Sequence, residues 1–448
     1  MVIEWTSILF VVSLLFLALL IIKIIEKKTN INGELKRKLF HVSMGLVMLT
    51  FPYIFSSVLS VGILGIIALV ILMVLKHSKL KSILGTILYS VNRESLGEIF
   101  FVVSVFTIFY LSKGDVILYS VPILILTFAD STAALIGKNY GKNNIAELNE
   151  DAKSIEGSFM FFMVAFMATL VPLLLWTTVG REETLIISTI VGFNVALIEM
   201  ISHTGNDNLL IPLTTYAFLV THINLPLEML RKNLIILGAI FILVTIVNRI
   251  KSLSKLALVE VIVVGYLTIT LYGIYAVIPP LMLFFTCMSF PRLKENEKNN
   301  IYDARIIETN VAIGIAICGI VAITGLKSEF FMVYGLVYSM HLTVNTFVRF
   351  KYYLKLSEMS SLILAFLKGL VFVFLPSLII QQNVFGTIHS PLMIAVMIVA
   401  LFISGILIKI EKRNVKEEEI NIKNGYMHTQ IVFILTILVY ALQYFNVV

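Results

Sequence analysis

The sequence predicts an all-α, polytopic membrane protein of about sixteen transmembrane helices in two helical units. Three observations predict it. Of 448 residues, 59% are hydrophobic and only 14% are charged, against about 25% charged in a soluble domain. The mean hydropathy is +0.98. Apolar runs near the length that a bilayer requires, about 20 residues, recur along the whole chain.

In chain order the expected spans are 5–25, 39–55, 57–75, 97–111, 116–136, 157–176, 184–202 and 209–224, then 233–248, 256–273, 275–290, 307–325, 329–348, 360–380, 391–410 and 429–446. The first run, Trp5 to Ile25, is long enough for a permanent span and is not followed by a small-residue cleavage site. Cys287 and Cys318 lie in apolar context without metal-ligand spacing, which makes them inert buried thiols. The net charge of +7 comes from loops, and no basic-aromatic patch points to nucleic acid.

Loop charge sets the orientation. Basic loops follow alternate spans: Lys23 to Lys38, Lys76 to Lys81, Lys138 to Lys153, Arg249 to Lys255, Arg292 to Lys298, Arg349 to Lys355 and Lys409 to Lys423. The loops between them are nearly bare. The exception is 224–233, where Arg231 and Lys232 fall on the expected outer side. Both termini are thus expected outside, with every basic loop cytoplasmic. A division near Arg249–Lys255 separates a first unit, residues 1–250, from a second, residues 251–448. All strong motifs lie before it, and no repeat of 20 to 50 residues is visible.

The segment from Thr127 to Ser158 is the least expected in an apolar chain. It places Asp130 inside an apolar run, passes through Gly137, Lys138, Gly141 and a polar loop, and re-enters an apolar run through Lys153-Ser154-Ile155-Glu156-Gly157-Ser158. A charge within a span is costly and marks function by default. Polar residues collect at four further inner junctions. These are Lys36-Arg37-Lys38 with His41, Arg93-Glu94 with Gly97-Glu98, Glu199, and Gly205-Asn206-Asp207-Asn208 with Pro212.

Each has a plain structural reading. Lys36 to Lys38 reads as a topogenic charge cluster and His41 as an interfacial histidine. Arg93 and Glu98 read as a local ion pair, and Asp130 and Glu199 as a structural intramembrane pair. Asn206 to Asn208 read as a turn and helix cap, and the small-residue face Asp130, Ala133/Ala134, Gly137, Gly141 as helix packing. Taken together on one side of the membrane they suit phosphate and a hard cation. Asp130, Glu199, Asp207 and Glu98 are oxygen ligands of the kind Mg²⁺ takes beside substrate phosphates. Lys153, Arg93 and Lys38 are cations for a polyphosphate. Gly137 and Gly141 permit close backbone approach, and Gly157-Ser158 opens a helix whose amides favour an anion.

The ordered set resembles the polyprenol kinase family, which comprises dolichol kinases, phytol kinases and CTP-dependent diacylglycerol kinases. Asp130, Ala133, Gly137 and Gly141, then Lys153-Ser154-Ile155-Glu156-Gly157-Ser158, fit its central pattern. Glu199, Gly205, Asp207, Asn208 and Pro212 fit a later one, and Arg37, Lys38, His41, Arg93, Glu94, Gly97 and Glu98 the earlier ones. The resemblance covers roughly residues 34–225. It implies phosphate transfer from CTP, with Mg²⁺, to a membrane isoprenoid alcohol (phytol, geranylgeraniol or dolichol/polyprenol) at the cytoplasmic face. It implies Asp130, Lys153, Glu156, Glu199 and Asp207 as the catalytic set. Lys38, Arg93, Gly137, Gly141, Ser154, Gly157, Ser158 and Asn208 would contact nucleotide or phosphate, and His41 and Glu98 are further polar candidates. Asp130, Glu199 and Asp207 would hold Mg²⁺. The central block also looks like that of phosphatidate cytidylyltransferases, whose C-terminal basic-acidic signature is absent here. A multi-span transporter is a third reading; it calls for inverted repeats and midplane charges.

The second half has polar residues of its own. Tyr302-Asp303, Arg305 and Glu308 precede one span, and His341, Asn345 and Arg349 share a helical face. Lys368 falls mid-span, at a cost of about 2.5–3.5 kcal/mol, so it needs a partner. Pro279-Pro280 predicts a kink or broken helix.

Overall fold

The computed structural model describes residues 3–28, 33–77, 96–142, 144–146, 153–202, 205–247, 255–288, 321, 327–386, 390–411 and 435. The expected spans 307–325 and 429–446 lie outside these apart from single residues, as do Arg93 and the Tyr302–Glu308 cluster. The described chain is almost entirely helical. Seven helices are long and apolar enough to cross a membrane, and five shorter apolar helices accompany them. The fold is that of an all-α polytopic membrane protein. It forms two compact units, residues 1–235 and 236–448, which divide inside one helix.

In the first unit, α1 (Trp5–Lys28), α2 (Gly33–Met48), the single turn α3 (Phe51–Ile54) and α4 (Val58–His77) precede α5 (Gly97–Ser112). Next comes one long span built of three pieces: α6 (Val116–Leu124), a π turn (Ile125–Ala129) and α7 (Asp130–Tyr140). Asp115 starts it by accepting the amides of Ile117 and Leu118, 2.8 and 2.9 Å away, an N-cap. Pro122 lies inside α6, and the π turn follows directly. A π turn inserts a residue, so every later side chain is rotated by about 100° around the axis. Then come α8 (Ile155–Trp176), α9 (Arg181–Ile201), α10 (Asp207–His222) and α11 (Leu227–Val247). The span α6–α7 and helix α9 are the buried centre of this unit, with most of each apolar window inside the protein.

The polar loop between α7 and α8 holds an element the sequence does not announce. Strands β1 (Asn144–Ala146) and β2 (Lys153–Ser154) pair antiparallel. Two short strands are too little pattern to read from alternation, yet they bring Lys153 back beside the end of α7.

Three polar contacts join segments that the charge pattern expects on one side. Glu4 accepts the Ser56 amide and hydroxyl, at 3.1 and 2.7 Å, across two loops expected outside. Arg231, the cation on the expected outer side, lies 2.6 Å from Glu182 in another segment expected outside. On the other side Lys36 pairs with Glu26 at 2.8 Å.

In the second unit, α12 (Lys255–Tyr272) ends at Gly273, whose φ of 91° only glycine adopts easily. A 3₁₀ turn (Ile274–Val277) leads into α13 (Ile278–Met288). The break therefore sits at Gly273, and Pro279-Pro280 occupy the first turn of the new helix, where proline's missing N–H costs nothing. Helix α14 (Lys327–Val348) is the buried axis of this unit. A π turn (Arg349–Tyr353) follows it, then α15 (Glu358–Gly369), a π turn (Leu370–Phe374), α16 (Leu375–Ile380), a third π turn (Gln381–Phe385) and α17 (Pro391–Glu411). Lys368 has its partner: Nζ donates to the Thr286 carbonyl, 2.9 Å away, in the last turn of α13. Helix-terminal carbonyls lack helical partners and carry the negative end of the dipole, so a cation suits them.

Candidate functional site

One face of α2 seats on the π turn and the start of α7. Lys38, His41 and Gly45, at i, i+3 and i+7, meet Asp130, Leu126 and Thr127. Lys38 Nζ donates to Asp130 Oδ2 at 2.7 Å and to the Asp130 carbonyl at 3.4 Å. His41 Nε2 donates to the Leu126 carbonyl at 3.0 Å and lies 3.7 Å from Asp130 Oδ2. A Cβ on Gly45 would stand 2.0 Å from Thr127 Oγ1, so the helices meet at a separation only glycine allows. Lys38 and Asp130 are 4% and 8% exposed. A buried ion pair holds only when its charges are matched and hydrogen-bonded, and both conditions are met here.

A second group forms where α8 begins. Lys153 on β2 pairs with Glu199 Oε1 in the last turn of α9. The Ser158 hydroxyl donates to Glu199 Oε2 at 3.4 Å. Burial disfavours the Lys153 charge, but the carboxylates of Glu199 and Asp207 more than offset it. The ammonium pKa is held above the ordinary lysine value. Asp130 acts on Lys153 in the same sense, so both groups lie within electrostatic reach of one another.

Asp207 starts α10 and accepts its neighbour Asn208's amide at 2.9 Å. The chain enters through Gly205, with φ of 88°. Asn208 Nδ2 donates to the Gly97 carbonyl at 2.9 Å, tying the start of α10 to the start of α5, where Glu98 lies in the first turn. The structure thus brings together Lys38, His41 and Asp130, then Lys153, Ser158 and Glu199, and joins Asn208 to Gly97. Arg93 is outside the described residues.

Several expected phosphate contacts have other occupations. The Ser154 hydroxyl accepts the Gly157 amide at 3.1 Å and caps α8. Gly137, Gly141 and Gly157 bring the end of α7 against the start of α8. A Cβ on Gly157 would lie 3.0 Å from the Ala133 carbonyl, and one on Gly141 2.8 Å from the Ser154 side chain. The close approach here is helix to helix, and it fixes where the start of α8 points. Glu156 is half-buried at the second position of α8.

Two residues escaped sequence reading. Thr127 bonds back to Ile123, the ordinary habit of a hydroxyl in a helix, and gives no signal. Ser131, beside Asp130, has a buried hydroxyl without a hydrogen-bond partner among the described residues.

Among the described residues no three His, Cys, Asp or Glu side chains form a group able to hold a metal ion. Two of the three expected ligands, Asp130 and Glu199, are held by lysines. A preformed metal cage is therefore not what these residues make. Mg²⁺ arriving with a nucleotide needs only one or two carboxylates beside the phosphates. Asp207, which has no salt bridge among the described residues, fits that lesser requirement.

An all-α membrane protein with lysine–carboxylate pairs gathered at its helix ends is the class that fold and geometry define. Comparison with known proteins narrows it. A stretch of 188 residues, 40% of this chain, is 28% identical to a phytol kinase of Synechocystis sp. and covers 76% of that relative. This supports the polyprenol and phytol kinase resemblance over part of the chain. No protein-family model matches the chain, and no solved structure matches it.

Proposed function

We propose that the chain is a prenol kinase that moves the γ-phosphoryl group of CTP to the hydroxyl of a membrane isoprenoid alcohol at the cytoplasmic face. The observation that carries this reading is the convergence of Lys38–Asp130 and Lys153–Glu199, with Asp207, from five separate segments of an apolar protein. Phosphoryl transfer asks mainly for positioning and charge neutralisation, and this arrangement supplies both. A prenol dissolves in the bilayer with its hydroxyl near the interface, where helix ends meet the nucleotide.

In this reading Lys153 contacts the donor phosphates, with Ser158 and the first turn of α8 beside it. Asp130 accepts a hydrogen bond from the alcohol. The alcohol oxygen bonds to the γ-phosphorus, the bond from that phosphorus to the β–γ bridging oxygen breaks, and CDP leaves with that oxygen. The hydroxyl proton passes to the Asp130 carboxylate and then to water. Mg²⁺ bound with the nucleotide would neutralise phosphate charge, with Asp207 as its protein ligand.

The test uses purified full-length chain, a panel of prenols in detergent and CTP labelled in turn at the γ- and α-phosphates. Label from the γ-position in a prenyl phosphate supports the kinase. Lipid labelled from the α-position supports a cytidylyltransferase instead. No transfer, with solute uptake into vesicles, supports a transporter.

A further inference from the structure

We infer that Lys38 is a positioning residue for the acceptor alcohol and not a ligand of the nucleotide phosphates. The inference rests on the kinase reading above and deepens it by assigning the acceptor end of the site.

An ammonium has three N–H donors. Two of those of Lys38 are directed at Asp130, one to Oδ2 and one to the backbone carbonyl. The Lys38 side chain is only 5% exposed, whereas that of Lys153 is 25% exposed. Of the two lysines, Lys153 is the one a water-borne polyphosphate can reach. Lys38 is moreover fixed by its helix. His41, one turn on, is bonded to Leu126, and Gly45, one turn further, is pressed on Thr127. Swinging to a phosphate would cost Lys38 both of its bonds to Asp130.

The carboxylate it holds has chemistry of its own. Asp130 Oδ2 is occupied by Lys38, while Oδ1 receives no hydrogen bond among the described residues. An open carboxylate oxygen accepts a hydroxyl proton and repels an anion. The next residue, Ser131, has a buried hydroxyl without a hydrogen-bond partner among the described residues, and the ring of Phe101 packs edge-on to His41 at 5.4 Å. A buried oxygen acceptor suits the hydroxyl of an uncharged lipid alcohol and not a triphosphate. With Oδ2 anchored, Oδ1 keeps one orientation, and a hydroxyl bonded to it keeps one line of attack. Misplacing a reacting group by about 1 Å can cost a hundredfold in rate.

The test compares wild type with Lys38→Met, Lys38→Arg, Asp130→Asn and Lys38→Met/Asp130→Asn in the full-length chain. The double variant removes both charges, so no buried charge is stranded and folding is retained even where the single variant fails. Equilibrium CTP binding is measured for each, with steady-state kinetics using geranylgeraniol. We expect CTP affinity within about twofold of wild type throughout. For Lys38→Met we expect kcat to fall at least about tenfold with the KM for CTP unchanged, and for Lys38→Arg a partial return. The double variant should be no slower than Asp130→Asn alone, as for residues that act as a unit. CTP binding about tenfold weaker in the double variant, or unchanged kcat in folded Lys38→Met, overturns the inference while the kinase reading stands. A wild type that neither binds CTP nor phosphorylates any prenol overturns both together.

Discussion

Each unit of this protein draws a lysine inward, Lys38 to full burial and Lys368 to half-burial, and the two meet different partners. In the first, Lys38 meets a carboxylate within a group that includes His41 and lies within electrostatic reach of Lys153. In the second, Lys368 meets the Thr286 carbonyl at the end of α13. Tyr334 in the same unit reaches Thr268 Oγ1 at 3.1 Å and the Ala276 carbonyl at 3.3 Å. A helix-end carbonyl is a suitable partner for a half-buried cation. Assembling two lysine–carboxylate pairs in an apolar protein costs desolvation on every member, and stability alone gives no reason for it. Under the kinase proposal, the contrast favours the first unit as the place of chemistry.

The strongest way to break this contrast is Asp130→Asn. It keeps the shape and removes the charge that Lys38 holds, and prenol phosphorylation should fall at least about a hundredfold. Labelled γ-CTP measures it. Near-normal turnover would remove the distinction between the units. Next comes Gly141→Ala. Its new methyl would meet the Gly137 carbonyl and the Ser154 side chain, a cost of about 1–3 kcal/mol. Thermal unfolding in detergent should show the loss, with activity falling because the start of α8 is displaced. A variant as stable as wild type would show that this packing does not fix the site.

The pH dependence sharpens the comparison further. Lys153 has its folded pKa raised, burial opposing and Glu199 and Asp207 more than offsetting it. A raised group contributes stability fully below its unfolded value, near 10.5. That contribution is lost as pH rises through the folded value. Stability should therefore hold through neutral pH and decline above about 10.5, and Lys153→Met should lack that alkaline component. An identical alkaline limb in the variant would assign the decline to other groups.

Which residues would come together was partly legible in the sequence, because a charge in an apolar span has few reasons to exist. Asp130 and Glu199 stood out on that ground, and so did the need of Lys368 for a partner; Lys38, Lys153 and Asp207 stood out as polar residues at span entries. Their pairing was not legible. Lys38 and Asp130 are separated by 92 positions, and nothing local says that a lysine in a basic cluster turns inward to a carboxylate and not outward to a phosphate. The π turn before Asp130 was hidden for another reason. It rotates the helix after Thr127 and leaves the hydrophobic pattern of a span intact. Ser154 and the three glycines carried signals that fit anion binding and helix packing equally, and only the closeness of α7 to α8 favours packing.

The smallest effects fall where charges lie open or have neutral partners. Lys368→Met should leave prenol phosphorylation within about twofold. Its unfolding temperature should be unchanged or raised, since a span loses a charge costing about 2.5–3.5 kcal/mol to insert. A large loss of activity would place chemistry in the second unit and dissolve the contrast. Arg231 and Glu182 form an exposed pair, worth less than about 1 kcal/mol. Arg231→Gln should therefore barely move the unfolding midpoint, less still at high salt, where exposed charges are screened. The same variant tests why an outer loop tolerates a cation. If Glu182 offsets Arg231 locally, then Glu182→Gln, which leaves Arg231 and Lys232 uncompensated, should lower the yield of correctly inserted protein, and the pair Glu182→Gln/Arg231→Gln should restore it. Equal insertion of all three, read by cysteine accessibility from each side, would show that orientation is set by the basic loops on the other face alone.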